Sequence, residues 1–163
     1  LYGKPDLSMT MNGCLAGLVA ITAPCAFVTP GAAVIIGVVG GVIIVFGVAL
    51  LDKLGIDDPV GAVPVHGFNG VWGTIAIGLF GRKALLGGEL GGLFTGGGIK
   101  LLGIQGLGVA ACVGFVVVAM GTVFVVINRT IGLRVTPQEE LRGLDICEHG
   151  NEAYSGFQVF PEL

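Results

Sequence analysis

The fold is decided by the stretch Asp57–Gly73, which reads DDPVGAVPVHGFNGVWG. It opens a run of 21 residues without a formal charge, from Val60 to Phe80, that contains one imidazole. At about 1.5 Å per residue, such a run crosses the roughly 30 Å hydrocarbon core of a bilayer. Asp58 followed by Pro59 predicts a helix start there, because a carboxylate caps free N–H groups and proline tolerates the first helical position.

The imidazole in this run belongs to His66, about two turns and roughly 10 Å beyond the predicted helix start. An ionisable side chain at that depth is costly unless it faces a protein interior or a pore. Since desolvation disfavours the imidazolium, a neutral ring that donates and accepts hydrogen bonds suits a small polar solute. We therefore expect His66 to lie on a conduction path. The alternative is a neutral histidine that only packs against a neighbouring helix.

The composition indicates an integral membrane protein. The 163 residues are 53% hydrophobic and 12% charged, with a mean hydropathy of +0.93 and a net charge of −3. Soluble domains carry roughly twice that charged fraction. The small net charge gives no sign of nucleic-acid binding. Four scattered cysteines form no Cys-x-x-Cys pair, so neither a disulfide framework nor a zinc site is expected.

Four uncharged runs predict four transmembrane helices. Their expected bounds are 7–28, 31–51, 59–80 and 100–128. The runs are continuous rather than alternating, which favours helices over barrel strands. We therefore expect a transmembrane region over 1–128 and a polar tail over 129–163. Five basic residues on the side of the tail, against three on the other, favour a cytoplasmic tail in a multi-pass protein of the cell membrane.

Glycine spacing predicts close contacts between these helices. Gly13 and Gly17 are four residues apart, as are Gly37 and Gly41, and small residues at this spacing let helix backbones approach in lipid. Three further glycines recur every third residue just after His66, so we expect a smooth strip beside the imidazole.

The uncharged runs do not contain a complete catalytic set. They hold one histidine, no acidic residue and no phosphate-binding Gly-Lys-Ser/Thr motif, so neither an enzyme nor a bound cofactor is expected. Asn12 and Thr22 in the first run are expected either to lie beside the pore or, more simply, to form hydrogen bonds between helices. In the tail, Thr136 and Glu139 have capping-box spacing, and Gly143 is placed to end the short helix.

Three groups of residues resemble the ammonium transporter family, in the Amt branch of the Amt/Mep/Rh proteins. They run from about Gly3 to Tyr154 in the family's order, and each comes from a different region. The first is similar to the family's eighth helix, the second to its pore segment and the third to its C-terminal region. The residues are GKPD (3–6), NG (12–13) and AGLVAIT (16–22); DDP (57–59), VHG (65–67) and GVWG (70–73); IGLRV (131–135), ELRGLD (140–145), HG (149–150) and AY (153–154).

The resemblance implies an all-α membrane protein with eleven helices in an inverted repeat, of which this chain supplies helices eight to eleven as a C-terminal fragment. It implies a homotrimer in the bilayer, with one ammonium-conducting pore in each subunit. His66 corresponds to the second of two pore histidines, which relay a proton while ammonia passes. Ala62 and Val65 correspond to positions near the cytoplasmic part of that path.

The resemblance also assigns the tail to regulation. It implies that the tail contacts neighbouring subunits and helps a PII-type signalling protein close the pore. The tail residues concerned are Arg134, Gly143, Leu144, Asp145, His149 and Tyr154. The family's first pore histidine and its cation-recruiting residues belong to earlier helices, so this chain alone is not expected to conduct. The alternatives are an ammonium sensor and a structural membrane subunit in which His66 only packs.

Overall fold

The computed structural model describes Lys4 and residues 6–154, and all regular structure in that part of the chain is helical. The elements are α1 (Leu7–Thr22), α2 (Pro30–Lys53), a π-helix (Val63–Phe68), α3 (Asn69–Phe80), α4 (Lys83–Leu86), a 3-10 turn (Leu93–Thr95), α5 (Lys100–Thr130), α6 (Pro137–Arg142) and α7 (Leu144–His149). Among the described residues, α2 and α5 are long and apolar enough to cross a membrane. The prediction of four such helices is therefore met in part.

The chain divides into two compact units, Leu1–Gly114 and Phe115–Leu163. The boundary between the units, at 114/115, lies inside α5. It is a boundary of packing and does not test the predicted border between membrane and tail at 128/129. That border stays a prediction.

Helix α1 is shorter than the predicted 7–28. It begins as predicted, with the Asp6 carboxylate accepting a hydrogen bond from the Met9 N–H at 2.7 Å. It ends at Thr22 because Pro24, two residues later, has no N–H with which to continue the helix. The chain turns instead, and the Phe27 N–H donates to the Pro24 carbonyl at 2.8 Å.

Helix α2 confirms the start that its sequence predicts. The Thr29 hydroxyl accepts a hydrogen bond from the Ala32 N–H at 3.3 Å, and Pro30 occupies the first helical position. The helix runs on to Lys53, two residues beyond the predicted end at 51, so the charged Asp52 and Lys53 form its last turn.

The third predicted helix, 59–80, begins later than expected and is not regular. Asp58 does cap it, since its carboxylate accepts hydrogen bonds from the N–H groups of Ala62 (2.8 Å) and Val63 (2.9 Å). Pro59 is not the first helical residue, however, because Gly61 adopts a left-handed conformation with φ of 68° and turns the chain before the helix. The helix then opens with the π-helix Val63–Phe68 and continues as α3.

Helices α1, α2 and α3 pack together in the first unit, and glycines make their closest contacts. A Cβ atom added to Gly73 of α3 would lie 2.5 Å from the Ala20 carbonyl oxygen of α1. A Cβ atom added to Gly47 of α2 would lie 2.8 Å from the Pro64 side chain, and Gly40 is similarly crowded. These positions need glycine because any side chain would push neighbouring backbones apart.

The glycine pairs singled out from the sequence are not at these contacts. A Cβ atom added to Gly13, Gly17, Gly37 or Gly41 would meet nothing within 4 Å among the described residues. The prediction was wrong because four-residue spacing marks a face of a helix but does not determine which face packs against the neighbour.

Helix α5 and the tail differ from this packed region. The most apolar window of α5 has 0% of its residues buried. In the tail, the predicted capping box is confirmed: the Thr136 hydroxyl accepts from the Glu139 N–H, and the Glu139 carboxylate accepts from the Thr136 N–H. Gly143, with φ of 102°, ends α6 as predicted. A second short helix, α7, follows at once and was not predicted.

Candidate functional site

His66 lies in the middle of the π-helix, on an exposed face of this chain. Its neighbours Ala62 and Gly67 are exposed with it, whereas Pro64 and Val65 are buried against α1 and α2. A π-turn contains one residue more than an α-turn, and such turns occur frequently at functional sites. The packing of this chain therefore holds the imidazole on an interrupted helix but leaves its outer side uncovered.

Two further residues of this segment were predicted to lie near the pore, and the structure separates them. Ala62 is exposed, as His66 is. Val65 is only 2% exposed and packs in a cluster with Ala16 and Ile44, within the core of the first unit. Val65 therefore supports the segment from inside this chain, although it is adjacent to His66 in sequence.

The two polar residues of α1 also have different positions. The Asn12 side-chain amide donates a hydrogen bond to the Val60 carbonyl at 2.9 Å, which ties α1 to the start of the His66 segment. The Thr22 hydroxyl donates to a carbonyl of its own helix at 2.7 Å. Because Ala20 already contacts Gly73, Thr22 lies beyond that contact and away from the imidazole. Of the two, the structure places Asn12 near the candidate site.

Sequence reasoning missed Asn69, the buried polar residue of this region. Its side chain is 0% exposed, and its amide nitrogen donates to the Pro64 carbonyl at 3.0 Å. The amide oxygen has no hydrogen-bond partner among the described residues. The available signal was an amide side chain three residues after His66 in an apolar run, since a buried polar group needs a hydrogen-bond partner.

The predicted tail residues lie in the second unit. Gly143 and Asp145 are adjacent: a Cβ atom on Gly143 would lie 2.6 Å from an Asp145 carboxylate oxygen. The Asp145 carboxylate accepts a hydrogen bond from the Ala153 N–H at 2.9 Å. This bond, followed by one from the Ile146 N–H, lowers the pKa of Asp145 below its ordinary value. The remaining predicted residues are exposed: Arg134, Leu144, His149 and Tyr154.

The fold and the site together define a helical membrane protein. The described residues contain two long apolar helices, a close crossing of α1 and α3 at Gly73, and one exposed imidazole on an interrupted helix. The chain matches the Ammonium Transporter Family over residues 1–154 and belongs to that family.

Relatives of known name confirm this membership. The chain is 47% identical over 163 residues to "Ammonium transporter Amt2" of Archaeoglobus fulgidus, covering 95% of this chain and 34% of the relative. It is 40% identical over 152 residues to "Ammonium transporter" of Bacillus subtilis, covering 93% of this chain and 37% of the relative. Both relatives carry the names of transporters rather than enzymes. The chain spans about a third of the length of each.

Solved structures show the same fold. The protein titled "Sensor Amt Protein" matches with a TM-score of 0.79 and 36% identity, over 90% of this chain and 35% of that one. Mep2 of Candida albicans matches with a TM-score of 0.70 and 30% identity, over 78% of this chain and 29% of that one. The resemblance seen in the sequence is therefore confirmed at the level of the family.

Proposed function

We propose that this chain is the C-terminal part of an ammonium transporter and that His66 lines its conduction path. The observation that carries the proposal is the exposed position of His66 on a π-helix whose other side is buried. An exposed imidazole within an apolar, membrane-length segment is costly against lipid. The cost disappears when the rest of a longer protein covers that face and encloses a polar path beside the ring.

The length of the relatives supports such a covering partner. This chain spans 34% of the Archaeoglobus relative, so roughly two thirds of a full-length protein would pack around it. In that arrangement the uncovered faces of α2 and of the His66 segment meet the earlier helices. We propose eleven transmembrane helices for the full-length transporter, with this chain supplying the last four.

The chemistry of imidazole suits ammonium and ammonia. A neutral ring has one N–H donor and one lone-pair acceptor, so it can accept a hydrogen bond from ammonium and donate one to ammonia. If one ring nitrogen accepts a proton and the other releases one, the ring returns to its neutral form. A second histidine on the missing helices would complete such a proton relay. Ala62, which is also exposed, would form part of the apolar wall.

The tail fits a regulatory role at the cytoplasmic face, which we propose together with assembly into a homotrimer in the cell membrane. Its short helices α6 and α7 leave Arg134, Leu144, His149 and Tyr154 exposed. In the proposed assembly, this exposed surface would meet neighbouring subunits or a PII-type signalling protein. The hydrogen bond from the Ala153 N–H to the Asp145 carboxylate ties α7 to the residues that follow it.

A comparison of two histidine variants in the full-length transporter tests this function. We expect His66→Ala to lower the initial rate of methylammonium uptake by roughly 10²-fold, since a positioned proton donor and acceptor contributes about that much to a transfer step. The matched control is His149→Ala, which removes an exposed imidazole from the tail. We expect it to leave the basal uptake rate within about two-fold of the unmodified protein.

Unchanged uptake by His66→Ala, at equal amounts of folded transporter in the membrane, would refute the proposal. It would favour the alternative of a structural subunit in which His66 only packs. A loss of folded protein in the membrane would be detected by size-exclusion chromatography before uptake rates are compared.

A further inference from the structure

The carbonyl of Val60 lies just before the helix that carries His66. Gly61 turns the chain at this point, so Val60 is outside the helix, and the proline at residue 64 has no N–H to offer. The side-chain amide of Asn12, on α1, donates to the Val60 carbonyl at 2.9 Å. An amide from another helix therefore ties the start of the His66 segment to α1.

A second asparagine acts at the end of the same π-helix. The Asn69 backbone N–H and side-chain amide both donate to the Pro64 carbonyl, the latter at 3.0 Å. The opposite orientation of this amide would place two oxygens together, so the observed one is favoured. Its cost is a buried oxygen without a partner in the part of the chain described. An unpaired buried acceptor destabilises a protein, so folding stability alone does not account for an asparagine here.

We infer that Asn12 and Asn69 are positioning residues, which hold the π-helix open and thereby determine where the His66 ring lies. The inference rests on the proposed function, in which His66 acts in conduction. His66 lies between the two anchored carbonyls, of Val60 and Pro64, and the anchored Asn69. The geometry of its backbone is therefore restrained on both sides by side-chain amides.

The physical consequence of losing this restraint is a rotation. A π-turn holds one residue more than an α-turn, and each residue of an α-helix advances about 100° around the axis. Relaxation to a regular helix would therefore turn His66 by about 100° relative to α3. Misplacement of a reacting group by about 1 Å is enough to cost up to 10²-fold in rate. The ring would leave the exposed face on which it now lies.

The first test is Asn69→Leu in the full-length transporter. Leucine has nearly the shape of asparagine, and it removes both the donor to Pro64 and the unpaired oxygen, so we expect the variant to fold with an unchanged melting temperature. We expect the maximal rate of methylammonium uptake to fall by about ten-fold, with KM within two-fold. The matched control is Thr74→Ala, which removes a half-buried hydroxyl bonded at 2.9 Å to a carbonyl of its own helix.

The second test uses Asn12, in case Asn69→Leu does not fold. Asn12 borders an open cavity of about 270 Å³, which has room for one more methylene group. Asn12→Ala removes the donor to Val60 and should lower the maximal uptake rate. Asn12→Gln retains a side-chain amide that reaches the same carbonyl through the cavity, so it should restore at least half of the rate.

The outcomes separate this inference from the proposed function. If His66→Ala lowers uptake while Asn69→Leu, or Asn12→Ala where that variant alone folds, transports like the unmodified protein, the positioning role is refuted and the proposed function stands. If His66→Ala also has no effect, both are refuted. A reduced maximal rate at unchanged melting temperature, restored by Asn12→Gln, supports the positioning role, because loss of folding alone would not be reversed in this way.

Discussion

The His66 segment, residues 63–80, and helix α5, Lys100–Thr130, are both apolar and uncharged over most of their length, yet they are built differently. The His66 segment is interrupted by a π-helix, packs closely against α1 and α2, and is held by side-chain amides. Helix α5 is regular for 31 residues, and its most apolar window has 0% of its residues buried. Hydropathy places the two in the same class, whereas packing distinguishes them: the first is held by contacts with α1 and α2, and the most apolar window of α5 is exposed.

The largest expected effect is a loss of stability when one methyl group is added at Gly73, in the closely packed His66 segment. Gly73→Ala would place a Cβ atom 2.5 Å from the Ala20 carbonyl oxygen, so α1 and α3 must move apart. We expect the free energy of unfolding to fall by about 1–3 kcal/mol, as is typical of overpacking. Thermal denaturation of the detergent-solubilised protein measures it.

Gly114→Ala on α5 is the matched control, because a Cβ atom there meets nothing within 4 Å in the described residues. We expect it to be neutral or slightly stabilising, since alanine is the better helix former by up to about 1 kcal/mol. Equal loss of stability in the two variants would show that the contrast in packing is wrong.

A smaller effect is expected at the start of the His66 segment. Asp58→Ala removes hydrogen bonds to the N–H groups of Ala62 and Val63, which should cost about 0.5–2 kcal/mol, as for other helix caps. Hydrogen exchange of these two amides should accelerate. Asp58→Asn, which retains one acceptor oxygen, should lose less. On α5 the comparison is Thr122→Ala, whose hydroxyl bonds within its own helix and whose loss should leave exchange near residue 62 unchanged.

The smallest effect is expected in the tail and depends on pH. The N–H and hydroxyl of Thr136 lower the pKa of Glu139, and the N–H groups of Ala153 and Ile146 lower that of Asp145. A carboxyl whose pKa is lowered on folding contributes stability above its ordinary pKa and loses it as pH falls through the folded-state value. We therefore expect the tail helices to loosen in acid, below the ordinary carboxyl range of about 4.

Amide chemical shifts of Ala153 and Glu139, followed by NMR during acidification, measure this loosening. Asp145→Asn is the control, because it removes the titrating carboxylate at Asp145 while Glu139 still titrates. If Ala153 shifts identically in that variant, the hydrogen bond to Asp145 does not hold the tail.

Predictions from sequence signals that act between neighbouring residues, such as helix caps, are confirmed. The capping box of Thr136 and Glu139 was predicted and is present, because a cap involves residues within one turn of each other. The exposure of His66 and the burial of Val65 were not predictable, since the two are adjacent and equally embedded in an uncharged run. In the π-helix that contains both residues, Val65 packs with Ala16 and Ile44, whereas His66 is exposed.

By itself the sequence determined the helical class, the family, and the presence of one ionisable ring within an apolar run. These depend on composition and on patterns of neighbouring residues. Only the tertiary structure decided which glycines make contacts, that His66 is exposed, and that Asn12 donates to the carbonyl of Val60, 48 residues away. Helix periodicity and capping act over a few residues, whereas the pairing of helix faces depends on shape and hydrogen bonding between distant segments.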